Sequence, residues 1–264
     1  MKIGFIGCGN MASAMLNGIL KCGEFVREDM IASAKSDKTR EKIEKEFGIN
    51  KAETNKQVVD FADVIFLAVK PQFLEGVLEE IRGSVRPEQI FISIAPGKTL
   101  QWLKERLGEN TKIIRTMPNT PAMVGEGMTG LCVNELVTEE ETALAVKLCD
   151  SFGKTEVVPE HLMDAVVGVS GSSPAYVFMF LEAMADAAVA DGMPRNQAYK
   201  FAAQSVLGSA KLMLETGKHP GELKDMVCSP GGTTIQAVRV LEEKGFRSAV
   251  IEAQTECVKK ARGM

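Results

Sequence analysis

The chain opens with a short apolar block, Ile3, Phe5 and Ile6, and passes at once into helical spacing over residues 11–20. A block of this length, rich in β-branched and aromatic residues, reads as a strand buried on both faces of a parallel sheet. The same alternation recurs. Residues 30–34, 63–69, 89–95 and 111–117 predict strands, while residues 37–48, 73–83 and 99–108 predict helices between them. "MTGLCVN" follows, then the capped helix "TEEETALAVKLCDSFG" over residues 138–153, and "KTEVVP" closes the strand-bearing part near Pro159. Strands alternating with helices of about ten residues imply a parallel sheet with helices on both faces.

From Glu160 onward the pattern is helical throughout, with breaks at residues 192–194, 219–221 and 229–232. The expected fold class is therefore α/β: a Rossmann-like doubly wound sheet over residues 1–158, then an all-α domain over residues 159–264. Stretches such as "EAMADAAVADGM" and "FAAQSVLGSAKLML" carry small and apolar residues on more than one helical face, which suggests a subunit interface. An ordinary compact helical bundle is the alternative. The uncharged run over residues 165–181 is too short and too broken by Gly, Ser and Pro for a membrane span of about 20 apolar residues, so a buried helix is expected there.

Gly7 and Gly9 stand between the first strand and the first helix, with Ala12 in the third place of a G-x-G-x-x-A motif. That spacing allows a tight turn and lets backbone N–H groups meet a pyrophosphate at a helix N-terminus. A turn that needs glycine only for its backbone angles would carry the same letters. In dinucleotide folds an acid at the end of the second strand meets the ribose of NAD, whereas basic or small polar residues tolerate the phosphate of NADP. Here Ser33, Lys35 and Ser36 stand at that end, with Lys38 and Arg40 close behind. NADP(H) is therefore the preferred expectation, with NAD(H) also accepted; a solvated helix start is the competing explanation for the cations.

Composition narrows the function further. The 264 residues are 45% hydrophobic and 25% charged, with a formal net charge of -4. No basic footprint for nucleic acid or for an anionic membrane is present. No charged n-region precedes an apolar core, and the six cysteines are dispersed without a C-x-x-C pair. Reduced thiols in a cytoplasm are expected, with no disulfide and no metal site.

A second constellation, "KDMVCSPGGTTIQAVRVLEEKG" over residues 224–245, sets two glycines and two threonines directly before an amphipathic helix. Backbone N–H groups and hydroxyls converging at a helix start can cradle a small anion. A turn with a threonine cap explains the same letters.

From "FIGCGNMA" through "AVKPQ", "RTMPNTPA" and "VSGSSPAYVF" to "HPGELKDMVCSPGGTTIQAVRVLEEKGFR", the chain resembles the pyrroline-5-carboxylate reductases over essentially its whole length. These enzymes reduce a cyclic imine to L-proline. Two departures occur: Ser173 stands where that family commonly has glycine, and Cys228 where serine is frequent. The resemblance implies that the cofactor is touched by Gly7, Cys8, Gly9, Asn10, Met11 and Ala12, by Ser33, Lys35 and Asn55, by Ala68, Val69, Lys70 and Pro71, and by Ala95, Pro96 and Gly97. It implies a substrate carboxylate on Ser229, Gly231, Gly232, Thr233 and Thr234, with the Thr234 hydroxyl as the catalytic contact to the ring nitrogen. It also implies a homodimer interlocked through the C-terminal helices, assembled into larger oligomers such as a decamer.

The chemistry agrees. An imine nitrogen is basic enough to bring its own proton, whereas a ketone needs a placed acid. "GVSGSSPAYVFMF" offers no lysine where related hydroxyacid dehydrogenases carry one, and the two histidines, His161 and His219, read as loop or cap residues. A related NADP-dependent imine or hydroxyacid reductase and a non-catalytic NADP(H) sensor are the other readings.

Overall fold

The computed structural model describes residues 1–263. Its chain order is β1 (Ile3–Ile6), α1 (Asn10–Lys21), β2 (Met30–Ser33), α2 (Asp37–Lys42), β3 (Asn50–Ala52), α3 (Asn55–Phe61), β4 (Val64–Leu67), α4 (Pro71–Ile81), β5 (Ile90–Ser93), α5 (Leu100–Leu107), β6 (Lys112–Met117), β7 (Gly127–Val133), α6 (Glu139–Asp150) and β8 (Gly153–Val157). Helices α7 (Met163–Val166), α8 (Ser173–Ala190), α9 (Arg195–Thr216), α10 (Pro220–Val227), α11 (Thr233–Glu243) and α12 (Phe246–Arg262) follow.

The strands form one eight-stranded sheet in the order β3-β2-β1-β4-β5-β6-β7-β8. Two apolar layers cover it. Ile3 and Phe5 face α1 and α6 with Met15, Leu16, Leu148 and Phe152, and Ile6, Ile65 and Leu67 face α3, α4 and α5 with Val58, Leu74, Leu78 and Leu103. Phe5 stacks on Phe66 of the neighbouring strand, ring centroids 4.6 Å apart. Helix α3 lies so close to β1 that a Cβ on Gly4 would fall 2.5 Å from Val58 Cγ1.

The expectation of a parallel sheet needs one correction: β7 runs antiparallel to β6, with Arg115 opposite Cys132. Residues 118–126 between them contain only the short 3-10 turn Thr120–Val124. That is too little chain for the crossover of a dozen or more residues that a parallel pairing requires. The short edge strand β3, paired parallel to β2, has no counterpart in the expected strands. The expected helix over residues 37–48 is present as α2 extended by a π-helical turn, Ile43–Phe47, and ends at Gly48 with φ 63.

Packing divides the chain into two compact units, Met1–Ser172 with Cys257–Met264, and Ser173–Glu256. This differs from the division at residue 158, because the turns after Pro159 are bound to the sheet unit. Asn119 Nδ2 donates to the Ser170 carbonyl at 3.0 Å, Met163 and Val167 are buried, and Cys257 Sγ donates to Ser172 Oγ at 3.1 Å.

In the second unit only Ala185, Ala198 and Ala202 are buried among the described residues. The run over residues 165–181 is therefore not a buried helix within this chain: it is broken by the π-helical turn Val167–Gly171, and Phe178 and Met179 are 65% and 70% exposed. Its apolar residues encircle α8, and the unit has no further layer to cover them. By length and composition alone the longer helical run Glu160–Ala190, which extends beyond residues 165–181 at both ends, is sufficient for a membrane span.

Candidate active site

The turn from β1 into α1 separates the two roles its glycines could play. Gly7 has φ 93, and a Cβ there would fall 2.7 Å from the Ala68 carbonyl oxygen, so the fold itself demands glycine. Gly9 is different: it is the N-cap of α1 at φ -78 and makes no side-chain cap, and a Cβ on it would meet nothing within 4 Å. Neither backbone angle nor packing requires glycine at this position. The open space here leaves the helix start free to take a ligand, and the uncapped N–H groups of α1 offer donors at the positive end of the helix dipole.

This turn lies where β1 and β4 adjoin, the point at which the strand order reverses and a doubly wound sheet opens a crevice beyond its strand ends. A cleft of about 490 Å³ opens there, with Gly7, Ser33, Lys35, Arg40, Asn55 and Val69 in its wall. Lys35 Nζ sits 5.1 Å from the centre of the Phe73 ring, and Arg40 is held by an ion pair to Asp37. The hydrogen bond from Arg40 keeps the Asp37 carboxyl below the ordinary carboxylate range. Cys8 and Ala12 are buried and can present only backbone to a ligand. Burial pushes the Cys8 thiol up, with Ser13 opposing the shift through a hydrogen bond, so this thiol is a neutral core group.

Of the other cofactor residues implied by resemblance, Asn10 and Met11 open α1, and Lys70 caps α4 with Pro71 in its first turn. Ala95, Pro96 and Gly97 follow β5, where Gly97 turns the chain at φ 71 and Ser93 Oγ accepts from the Ala95 N–H at 3.3 Å. None of these seven lines the cleft itself. Sequence reading missed the face of α4 that does: Phe73, Gly76, Val77 and Glu80. Their i, i+3, i+4, i+7 spacing is the available signal, since Leu74, Leu78 and Ile81 occupy the adjoining, buried face.

The second constellation belongs to the other unit. Gly231 turns at φ 69, the Gly232 N–H donates to the Ser229 carbonyl at 3.0 Å, and α11 starts at Thr233 with Gly232 as an N-cap that makes no side-chain bond. A Cβ on Gly232 would fall 2.4 Å from Ser229 Oγ. The threonine-cap explanation thus fails: Thr233 and Thr234 lie inside the helix, and neither hydroxyl is drawn into a cap. His219 does act as a cap, its Nδ1 accepting from the Gly221 N–H at 3.1 Å.

Comparison with known proteins agrees in both units. A family model described as "Pyrroline-5-carboxylate reductase dimerisation" matches residues 160–264, and one described as "NADP oxidoreductase coenzyme F420-dependent" matches residues 2–97. The pyrroline-5-carboxylate reductase of Escherichia coli (strain K12) is 57% identical over 98% of this chain and 97% of its own. The crystal structure of a pyrroline carboxylate reductase from Plasmodium falciparum with NADP bound superposes with TM-score 0.89 at 30% identity, covering 100% of this chain and 97% of that one. A pyrroline-5-carboxylate reductase structure from Coxiella burnetii gives TM-score 0.93 at 35% identity, over 99% and 97% of the two chains. With likeness of this extent in sequence and in fold, the chain belongs to the pyrroline-5-carboxylate reductase family.

Proposed function

We propose that the cleft of the sheet unit holds NADPH, that residues 229–234 hold the carboxylate of 1-pyrroline-5-carboxylate, and that hydride transfer to the imine carbon yields L-proline. Family membership makes the chain an NAD(P)H-dependent oxidoreductase acting on a carbon–nitrogen double bond. The observation that supports the cofactor site is Gly9, an N-cap whose backbone angle and open surroundings do not themselves require glycine and leave room for a ligand at the start of α1.

The bound dinucleotide supplies the hydride. The chain's own groups then have four tasks. The N–H groups at the start of α1 meet the pyrophosphate, and Lys35 with Arg40 faces the ribose phosphate that distinguishes NADPH from NADH. The uncapped N–H groups at the start of α11 orient the substrate carboxylate. Thr234 Oγ1 hydrogen-bonds the ring nitrogen, fixing the imine so that its carbon meets the hydride donor. The protonated imine needs no separate acid, consistent with the absence of a histidine or lysine among residues 229–234.

Residues 1–158 are assigned to cofactor binding and residues 159–264 to substrate binding and dimerisation. Support for a homodimer comes from the dimerisation family model over residues 160–264 and from the exposed apolar side chains of the helical unit, with Leu214 at 83% and Met226, Val227 and Ile251 at 63–65%. A second copy covering α8 and its neighbours accounts for this surface in a cytoplasmic protein. In this arrangement each chain supplies part of the other's site, and larger oligomers such as a decamer are built from the dimers.

The reading is tested by adding 1-pyrroline-5-carboxylate to the purified protein with NADPH. NADPH consumption with L-proline formed in equal amount is expected; unchanged NADPH contradicts the assignment.

A further inference from the structure

We propose that Glu80 is a positioning residue that moderates the preference for NADPH over NADH by orienting the Asn55 amide and, through it, the Ser33 hydroxyl. The proposal rests on the reading of the cleft as the cofactor site. Asn55 Nδ2 donates to Glu80 Oε2 at 2.7 Å, and Ser33 Oγ donates to Asn55 Oδ1 at 2.7 Å. All three residues line the cleft.

Donor and acceptor chemistry fixes the direction of this relay. A carboxylate only accepts, so the Asn55 atom facing Glu80 is the amide nitrogen. The amide oxygen then faces Ser33, whose single hydroxyl hydrogen is spent on it. Towards the ligand the Ser33 oxygen therefore offers lone pairs alone. Ser33 ends β2, the place where the adenosine ribose is read. The 2′-hydroxyl of NADH can donate to that oxygen, whereas the 2′-phosphate of NADPH has only acceptors and meets an acceptor.

Turning the Ser33 hydrogen towards a phosphate sets its oxygen against the Asn55 carbonyl oxygen. Turning the Asn55 amide as well sets that oxygen against the Glu80 carboxylate. Glu80 thus works against the phosphate while Lys35 and Arg40 attract it. The acid that the end of β2 lacks is supplied from α4, and the cleft is suited to both cofactors.

Glu80→Gln tests this, because a glutamine amide can turn and accept either orientation of Asn55. The readout is the ratio of kcat/KM with NADPH to kcat/KM with NADH at saturating 1-pyrroline-5-carboxylate. The substitution is expected to raise this ratio roughly fivefold, the scale of one net hydrogen bond. In an Asn55→Ala background, where the relay is cut, Glu80→Gln is expected to leave the ratio unchanged; Asn55→Ser provides a second background if the alanine variant folds poorly. A ratio unmoved by Glu80→Gln overturns the proposal. So does an equal rise with and without Asn55, which assigns the effect to bare charge. Cofactor binding by Gly9→Ala separates the two levels. Unchanged affinity for both dinucleotides removes the cleft reading together with the relay, whereas weakened affinity with an unmoved Glu80→Gln ratio removes the relay alone.

Discussion

Arg115 Nη1 lies 3.2 Å from Glu160 Oε1, with the arginine side chain 6% exposed and the glutamate 33%. The same carboxylate oxygen accepts the Leu100 N–H at 2.7 Å. One side chain thereby ties the turn after Pro159 to β6 and to the start of α5. Glu160→Ala strands a buried guanidinium, and because water can partly replace a carboxylate that is a third exposed, the expected loss is about 2 kcal/mol. Glu160→Gln keeps an acceptor for Leu100 and loses less. Chemical denaturation of the two variants beside the parent checks the order; a Glu160→Gln midpoint equal to the parent's would mean that the ion pair contributes nothing.

The two glycines of the first turn are expected to behave oppositely. Gly7→Ala forces φ 93 on an L-residue and drives its Cβ to 2.8 Å from Val69 Cγ1, at a cost of roughly 2 to 4 kcal/mol in stability. Gly9→Ala meets open space and should melt like the parent, yet bind NADPH at least about tenfold more weakly. Thermal melts beside cofactor titrations separate the effects. A Gly9→Ala variant that binds NADPH like the parent removes this turn from the cofactor site.

How much of this was legible in the sequence depends on how local the signal is. The β1–turn–α1 unit, the breaks between the C-terminal helices and the Thr138 capping box are written in adjacent residues, and the fold follows them. Strand direction is not local: nothing within "MTGLCVN" says that β7 runs against β6, and the short connection over residues 118–126 was the clue. The polar strand β3 carries no apolar pattern and is defined by its pairing with β2, where Ala52 sits beside Ser33. Burial of α8 was misread because apolar composition alone does not say whether the rest of the same chain folds over a helix. The glycines and threonines of residues 229–234 were legible as a helix start able to cradle a small anion, and the substrate and the role of Thr234 came from the family resemblance. Phe73 and Glu80 went unnoticed because the wall they build exists only once α4 packs beside the end of β2.

Lys35→Asp is expected to move cofactor preference towards NADH. Its ammonium is held over the Phe73 ring at the cleft wall, and replacing it sets a carboxylate facing the ribose phosphate. NADPH affinity should fall about tenfold or more while NADH affinity changes little. Titration of both cofactors measures this, and parallel changes for the two would dissociate Lys35 from phosphate recognition.

Thr234→Ala should damage turnover of the imine and spare NADPH binding, since its hydroxyl serves no helix cap. One oriented hydrogen bond at the reacting centre corresponds to a loss on the order of 2 to 4 kcal/mol in the transition state. Steady-state kinetics with the imine, together with an NADPH titration, give both numbers. Full activity of the variant would remove Thr234 from the mechanism.

The proposed working site joins the cofactor loop of one chain to the residue 229–234 cradle of another. It is tested most directly by co-expressing two inactive variants and assaying the mixed dimers. One carries Gly9→Asp in the cofactor loop; the other carries Gly232→Asp with Thr234→Ala in the cradle. If sites are shared, one of the two sites in each mixed dimer unites an intact loop with an intact cradle, and reduction of 1-pyrroline-5-carboxylate returns. If each chain builds its own site, every site in the mixture is defective, and the absence of activity in dimers verified to be mixed contradicts the account.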